Sequence, residues 1–439
     1  MGSGLVRIFL YLAVVLAPLI ISMFYRQQTT NNFLYELGRN FALVGIMVLT
    51  IQILLAGRFK WIESSFGFDI LIRYHRYMAI FGTILIIAHP LLLAAGTGKL
   101  TLLIGLTMPW YIWLGRAALV LLIINALVSV YQSKLHLKFE VWRFIHDITG
   151  PSIILFSFVH SWIVGDDIHS QPLYWLWPII LIIFFVLFAY HRFIRPLLLN
   201  RHPYLVTDVI QESKGVWTVK LAPSKGERIK KYLPGQFHFL TFHRGKSLPE
   251  EEHHWTISSS PTEKKYVSST IKELGDFTAT IGETKPGDTA TVHAAFGRFS
   301  YLLHPEEKSL VFIAGGIGIT PLMSMLRYMR DIHETIPVVL LYGSKTEEEI
   351  VFRKELAEMQ EKQFPRLQAV HILSDPGKKW TGETGLIDRD KLIKHCGKLD
   401  NKGFYIVGPK DLLDGTVKNL RELGVNDERI HIEIFSFID

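Results

Sequence analysis

Six apolar stretches of bilayer length crowd the first 200 residues, at 5–24, 34–56, 74–95, 102–131, 142–164 and 173–193. A helix needs about 20 such residues to cross a hydrocarbon core. Within that core every backbone N–H and C=O must be satisfied inside its own segment, so this half is expected to fold as a six-helix membrane bundle. The connections are short, which makes neighbouring helices antiparallel. Arg58, Lys60, Arg73 and Arg76 lie between spans two and three, Lys134, Lys138 and Arg143 between four and five, and Arg192, Arg195 and Arg201 after span six. The alternate connections hold Arg26 and Lys99 with the acidic pair Asp166 and Asp167. Basic residues collect on the cytoplasmic side, so both termini are expected in the cytoplasm and the chain in the plasma membrane. Trp110, Trp113, Trp162, Trp175 and Trp177 fall near outer span ends, where an aromatic belt is expected. The first run has only Arg7 ahead of it and no small-residue cleavage site, so it reads as a retained span.

Composition narrows the chemistry. The formal charge of +7 sits largely in these membrane flanks, which gives no reason to look for nucleic acid. A single cysteine, Cys396, excludes internal disulfides, covalent c-type haem and cysteine-ligated iron–sulfur clusters.

Span three carries His75 and His89, and span five carries His146 and His160; both pairs are 14 residues apart. Fourteen residues of helix turn back to within about 40° of the same face and rise roughly 21 Å. Two such helices side by side offer two histidine pairs at two depths, each able to ligate one haem iron from both sides. His75 with His146 would hold an inner haem, and His89 with His160 an outer one. Arg39, one to two turns into span two, is an intramembrane charge that requires an anionic partner. A haem propionate or nascent superoxide is the expected partner, and snorkelling to the headgroups is the alternative.

Residues 201–305 alternate like short strands. His253-His254-Trp255-Thr256 runs into Ile257, Ser258 and Ser259, a strand end whose hydroxyls suit a flavin's polar edge and ribityl chain. Lys272 is followed by Gly275-Asp276-Phe277-Thr278, read as a turn and a helix start fit for phosphate. From residue 306 strands alternate with helices: 311–314, helix 322–332, 338–342, helix 347–361, 367–373, 404–407 and 430–435. That order predicts a parallel doubly wound sheet with ligands at the strands' C-terminal ends. Gly315, Gly316 and Gly318, then Thr320 and Pro321, form a loop that lets backbone approach a pyrophosphate. Gly408-Pro409 sits at a second such end, and Ser344 and Lys345 follow the second strand, where a 2′-phosphate would lie.

Together these motifs resemble the NADPH oxidase and ferric reductase superfamily, from about Gly38 to Phe437. The paired histidines match its bis-haem ligands, and His253–Thr256 stands where it has His-Pro-Phe-Thr. Gly315–Pro321 matches its Gly-Gly-x-Gly-x-Thr-Pro, Phe404–Pro409 stands where it has Cys-Gly-Pro, and Glu433-Ile434-Phe435 matches its Glu-x-aromatic ending. The resemblance implies a ferric-reductase-type bundle with two b haems (1–200), an antiparallel β-barrel for FAD (201–305) and a nicotinamide domain (306–439). It implies Phe435 as the ring covering the flavin; Phe437, on the same strand face, is the runner-up. Ser344 and Lys345 point to NADPH as donor, with NADH discriminated weakly because a lysine is a point charge rather than a bidentate fork. O2 reduced to superoxide is the leading acceptor; a ferric chelate, a quinone or a periplasmic partner shares the same path. A haem carrier or membrane sensor is the reading from another class, and the complete flavin and nicotinamide module opposes it. Val407 replaces the family's usual cysteine, His254 and Trp255 replace Pro-Phe, and Leu93 stands where eukaryotic members have a histidine. With no calcium-binding loop or docking region for cytosolic activators, a compact bacterial member without an obligatory regulatory subunit is expected.

Overall fold

The computed structural model describes residues 2–26, 29–224, 229 and 231–434, and the chain divides into two compact units, Met1–Pro196 and Leu197–Asp439. Six helices are long and apolar enough to span a membrane: α1 (Gly4–Tyr25), α2 (Phe33–Ala56), α3 (Phe68–Thr97), α4 (Trp110–Val130), α5 (Phe139–Val164) and α6 (Leu173–Asn200). Half of the apolar window of α2 is buried, against 22% or less in the others, which makes α2 the central helix. It packs chiefly on α3, as α4 does on α5. Val15, Met47, Val48, Phe158, Trp177 and Phe184 form the core between α1, α2, α5 and α6. Phe9, Phe24, Ile124 and Ile182 stay exposed on the outside of the bundle. So much exposed apolar surface needs a hydrocarbon solvent to cover it. Polar side chains inside are tied back into the helix backbone: Thr50 donates to the Ile46 carbonyl, Gln52 to Val48 and Thr83 to Ala79.

The fourth span begins later than its hydropathy suggests. Residues 101–104 form a separate turn of helix that ends at Gly105, and Pro109 caps the start of α4 at Trp110. Arg116 closes the gap by donating to the carbonyls of Thr101, Leu102 and Gly105. Trp177 is a second correction. Instead of joining a lipid-facing belt it is fully buried, stacks on Phe158 at 4.7 Å and donates to the Ser161 hydroxyl. Trp110 and Trp175 are exposed as a belt requires.

The second unit holds two six-stranded sheets. Sheet A comprises β1 (Tyr204–Ser213), β2 (Val216–Pro223), β3 (Phe237–His243), β4 (Glu252–Thr256), β5 (Val267–Lys272) and β6 (Thr289–Phe296), antiparallel in the order β4-β3-β6-β1-β2-β5. The Ser258 N–H donates to the Ser268 carbonyl at 2.7 Å, drawing the two edge strands towards each other as a barrel requires. Sheet B comprises β7 (Leu310–Gly315), β8 (Val338–Ser344), β9 (Leu367–Leu373), β10 (Glu383–Thr384), β11 (Gly403–Val407) and β12 (Ile430–Glu433), all parallel in the order β10-β9-β8-β7-β11-β12. Helices α7 (Ile319–Asp331) and α8 (Arg353–Lys362) cover one face, and α9 (Arg389–Cys396) and α10 (Lys410–Glu422) the other. Side chains of β7 alternate between these two cores: Leu310, Phe312 and Ala314 enter one, Val311 and Ile313 the other. A strand buried on both faces therefore reads as continuously apolar.

Three sequence expectations shift here. The stretch 347–361 splits into a tight turn at Glu347–Glu349 and the helix α8, because Phe352 adopts φ +59 between them. The helix expected after Gly275 is a six-residue 3-10 turn, Thr278–Glu283. β12 stops at Glu433, and Phe435 and Phe437 lie outside the described residues.

Candidate functional site

The four histidines lie on α3 and α5, two on each helix. His75 on α3 and His146 on α5 have ring centroids 6.3 Å apart. Two imidazoles on opposite sides of one metal, each bonded at about 2.0 Å, stand roughly that far apart. The Nδ1 atoms of both rings are buried without a hydrogen bond, although the Gln52 backbone lies close to His75. A core histidine kept for structure alone would have its polar atoms satisfied. In the other pair Nδ1 is anchored, His89 to the Gly38 carbonyl at 2.9 Å and His160 to the Tyr111 carbonyl at 2.7 Å. Such an anchor places the proton on Nδ1 and leaves Nε2 as a lone-pair ligand, the usual arrangement behind a metal-bound imidazole. Gly115 makes room for it: a Cβ there would lie 2.7 Å from His160 Cε1. Four imidazoles at two depths, two of them with oriented ring nitrogens, fit two haem irons.

At the His89–His160 end of the bundle the charges form a closed network. Arg39 donates to both oxygens of Asp167 at 3.0 and 2.7 Å and reaches Glu36 at 3.5 Å. Arg26 pairs with the same two carboxylates and also donates to Ser22 and Asn40. The anion that Arg39 requires is thus supplied by the protein. Asp167 is 5% exposed and ties the α5–α6 connection down to α1 and α2.

In the second unit a cleft of about 370 Å³ opens between the sheets. The β1–β2 turn (Ser213, Lys214, Gly215), Lys272 and Glu273 line one side, and Gly316, Ile317, Ser344 and Glu349 the other. Its volume suits a cofactor moiety. The strand order of sheet B reverses at β7, so the crevice between the C-terminal ends of β7 and β11 is where ligands of such sheets bind. Gly315, Gly318 and Gly408 interlock there. A Cβ on Gly318 would meet the Val407 carbonyl at 2.6 Å, so only glycine lets the loop lie against β11. Gly316 has φ +54 and open space above it. Thr320 and Pro321 are buried in the first turn of α7. The Tyr342 hydroxyl donates to the Gly316 carbonyl and accepts from the Val351 N–H, fixing the loop to β8. Ser344 offers a buried hydroxyl beside that of Tyr342, Lys345 is exposed, and Lys272 reaches Glu349 at 3.7 Å. Glu433 pairs in register with Val407, at the β11 end that leads into Gly408-Pro409.

The flavin-motif residues divide between two faces of β4. His253 and Trp255 stack with Phe277, at 4.4 and 5.9 Å, while His254 faces Phe237 and Phe239. Thr256 accepts at its carbonyl from Ser269. The Ser258 and Ser259 hydroxyls do not reach the cleft. Ser258 bonds Ser268 and Thr270, and Ser259 bonds Tyr232 and the Ser268 N–H. Their carbonyls instead receive Arg327 and Ser324 of α7, joining the two sheets. Arg327 and Arg330 both grip Glu355. Burial alone would raise the Glu355 pKa, but the two guanidiniums outweigh it and hold the carboxyl below its usual range. At Gly275–Thr278 the N–H groups of Leu274 and Gly275 already donate to the Thr278 hydroxyl, and Asp276 caps the Phe277 N–H.

Residues 41–157 match the family described as ferric reductase like transmembrane component, and residues 312–418 the oxidoreductase NAD-binding domain. The chain is similar to the plasma membrane-associated coenzyme Q6 reductase PGA3 of Saccharomyces cerevisiae, 30% identical over 41% of this chain and 59% of that protein. NADH-cytochrome b5 reductase 1 of Dictyostelium discoideum is 28% identical over 40% of this chain and 62% of that one. The chain thus spans about three fifths of the length of these two relatives. Among solved structures, the flavohem-like FAD/NAD-binding domain of nitric oxide dioxygenase from Vibrio cholerae matches 53% of this chain and 97% of its own, with 24% identity and a TM-score of 0.48. The chain thus joins a region matching a ferric-reductase-like transmembrane component, among six helices long and apolar enough to span a membrane, to a region matching an oxidoreductase NAD-binding domain, an arrangement similar to that of the NADPH oxidase and ferric reductase superfamily.

Proposed function

We propose that the chain carries electrons from cytosolic NAD(P)H, by way of FAD and two b-type haems, to an acceptor on the outer face of the plasma membrane, with O2 reduced to superoxide as the leading reaction. Residues 1–200 hold the haems, 201–305 the FAD and 306–439 the nicotinamide. The observation that carries this reading is the pair of histidine sites on α3 and α5. A haem ligated on both sides supplies one-electron transfer at an iron with no open position. His75 and His146 hold the inner haem, and His89 and His160 the outer one. The Gly38 and Tyr111 carbonyls orient the outer ligands. The matched transmembrane family is named for ferric reduction, which favours a ferric chelate as the second acceptor. Turnover of the purified chain with NADPH separates these acceptors. Cytochrome c reduction suppressed by superoxide dismutase is the expected result; dismutase-insensitive reduction, with faster turnover on a ferric chelate or quinone, would reject superoxide.

Gly115→Val should push the His160 ring off its Tyr111 anchor, since even a Cβ meets that ring at 2.7 to 2.9 Å. The expected product is a membrane-inserted chain with one haem, read by pyridine haemochrome assay against protein concentration. At the nucleotide end, Ser344 and Lys345 favour the 2′-phosphate of NADPH. Glu347 is neutralised by Arg353 at 2.6 Å and Glu349 faces Lys272, so neither acid stands unpaired against a phosphate. Lys345→Glu should lower the NADPH/NADH ratio of kcat/KM by about tenfold. An unchanged ratio would return Lys345 to the solvent.

A further inference from the structure

Far from the cleft, at the N-terminal edge of sheet B, three side chains from distant parts of the chain meet. His304 follows a short turn ahead of β7, Glu307 lies three residues later, and His431 is the second residue of β12. We propose that His304, Glu307 and His431 bind one divalent transition-metal ion of the zinc type, outside the electron path. One ligand atom from each lies within 4.8 Å of the other two. The imidazoles stack at 3.9 Å, tilted by 33°, beside the carboxylate. Glu307 is almost fully buried, with Oε1 accepting from His431 Nε2 and Oε2 from the Tyr405 hydroxyl, both at 2.7 Å. A hydroxyl holding the second oxygen of a ligating carboxylate is the outer contact that orients a metal ligand. Gly403, the first residue of β11, leaves the space this carboxylate occupies; a Cβ there would overlap it.

Two imidazole nitrogens and one carboxylate oxygen are a donor set for zinc and its neighbours rather than for magnesium or calcium, which take oxygen ligands. Bonds of about 2.0 to 2.2 Å bring such ligands closer than 4.8 Å, so binding requires a small rotation. His304 can supply it: it is half-exposed, and its carboxylate partner is Glu306 at 3.6 Å. The metal takes the place of the proton between His431 and Glu307, and water fills the remaining position. Among the described residues β12 is an edge strand, paired with β11. The ion would staple it to the residues ahead of β7, and at its far end β12 carries Glu433.

A His431–Glu307 ion pair explains two of these residues without a metal and has no use for His304, so His304 discriminates. The full-length holoprotein, washed with EDTA, is titrated with ZnCl2 by calorimetry and with Co2+ by visible absorption. One Zn2+ per chain is expected with Kd below about 10 μM, weakened at least about tenfold in His304→Gln and in His431→Gln. Zn2+ should also raise the Tm of the wild type and not that of His304→Gln, since a ligand bound only to the folded state stabilises it. NADPH–ferricyanide turnover reports that His304→Gln is folded. Absence of Zn2+ binding at 100 times that concentration, or equal binding by wild type and folded His304→Gln, would overturn the site.

Discussion

Replacing His89 with leucine is expected to leave one b-type haem per chain instead of two. NADPH-driven reduction of the outer acceptor should fall below about one hundredth of wild type, a loss of about 2.7 kcal/mol or more in barrier terms. His89 lies on α3 with Nδ1 anchored to the Gly38 carbonyl, which leaves Nε2 available for the proposed ligand role, and leucine fills the same space without a lone pair. Ferricyanide, which can accept electrons from the soluble half, should still be reduced at the wild-type rate. His75→Leu should remove the other haem, and the double variant both. Two haems retained in His89→Leu would break the pairing assigned here.

Asp167→Asn carries the second large effect. Asp167 is the carboxylate common to Arg26 and Arg39, whose side chains are only 8% and 10% exposed. Removing one partner of a buried ion pair leaves an uncompensated charge and costs about 3–5 kcal/mol. Glu36 alone would then face two guanidiniums. Arg39→Ala should cost less, because Arg26 still neutralises Asp167. Thermal denaturation of the detergent-solubilised variants checks the order: Asp167→Asn well below Arg39→Ala, and Arg39→Ala below wild type. Equal midpoints for all three would mean that the network does not hold the α5–α6 connection down.

How far the sequence reveals this molecule depends on the range of each signal. Spans and histidine pairs are legible because their information is local: an apolar run of about 20 residues and a repeated 14-residue interval are both properties of a single helix. The Gly315–Pro321 loop is legible for the same reason, since strand, glycines and helix follow one another. Arg39 shows the limit. The sequence shows that it needs an anion, but Asp167 is 128 residues away and reads as a surface acid in a short loop. Trp177 misleads in a related way, because distance along a span does not reveal which face the ring takes; here Phe158 and Ser161 of α5 claim it. The contacts of Ser258 and Ser259 with β5 are equally hidden from the sequence, because the barrel edge must fold over before those strands meet. The cluster of His304, Glu307 and His431 leaves no sequence signature, since 124 residues separate its two hydrogen-bonded members.

Two haems in the membrane half are proposed to take electrons from the nicotinamide module. The most direct measurement is anaerobic addition of NADPH to the purified chain with FAD, following the haem absorption bands against a haem count by pyridine haemochrome. Two haems per chain, both reduced by NADPH and both left oxidised when FAD is omitted, is the predicted result. A single haem, or haems that stay oxidised while the flavin is bleached, would rule out this electron path.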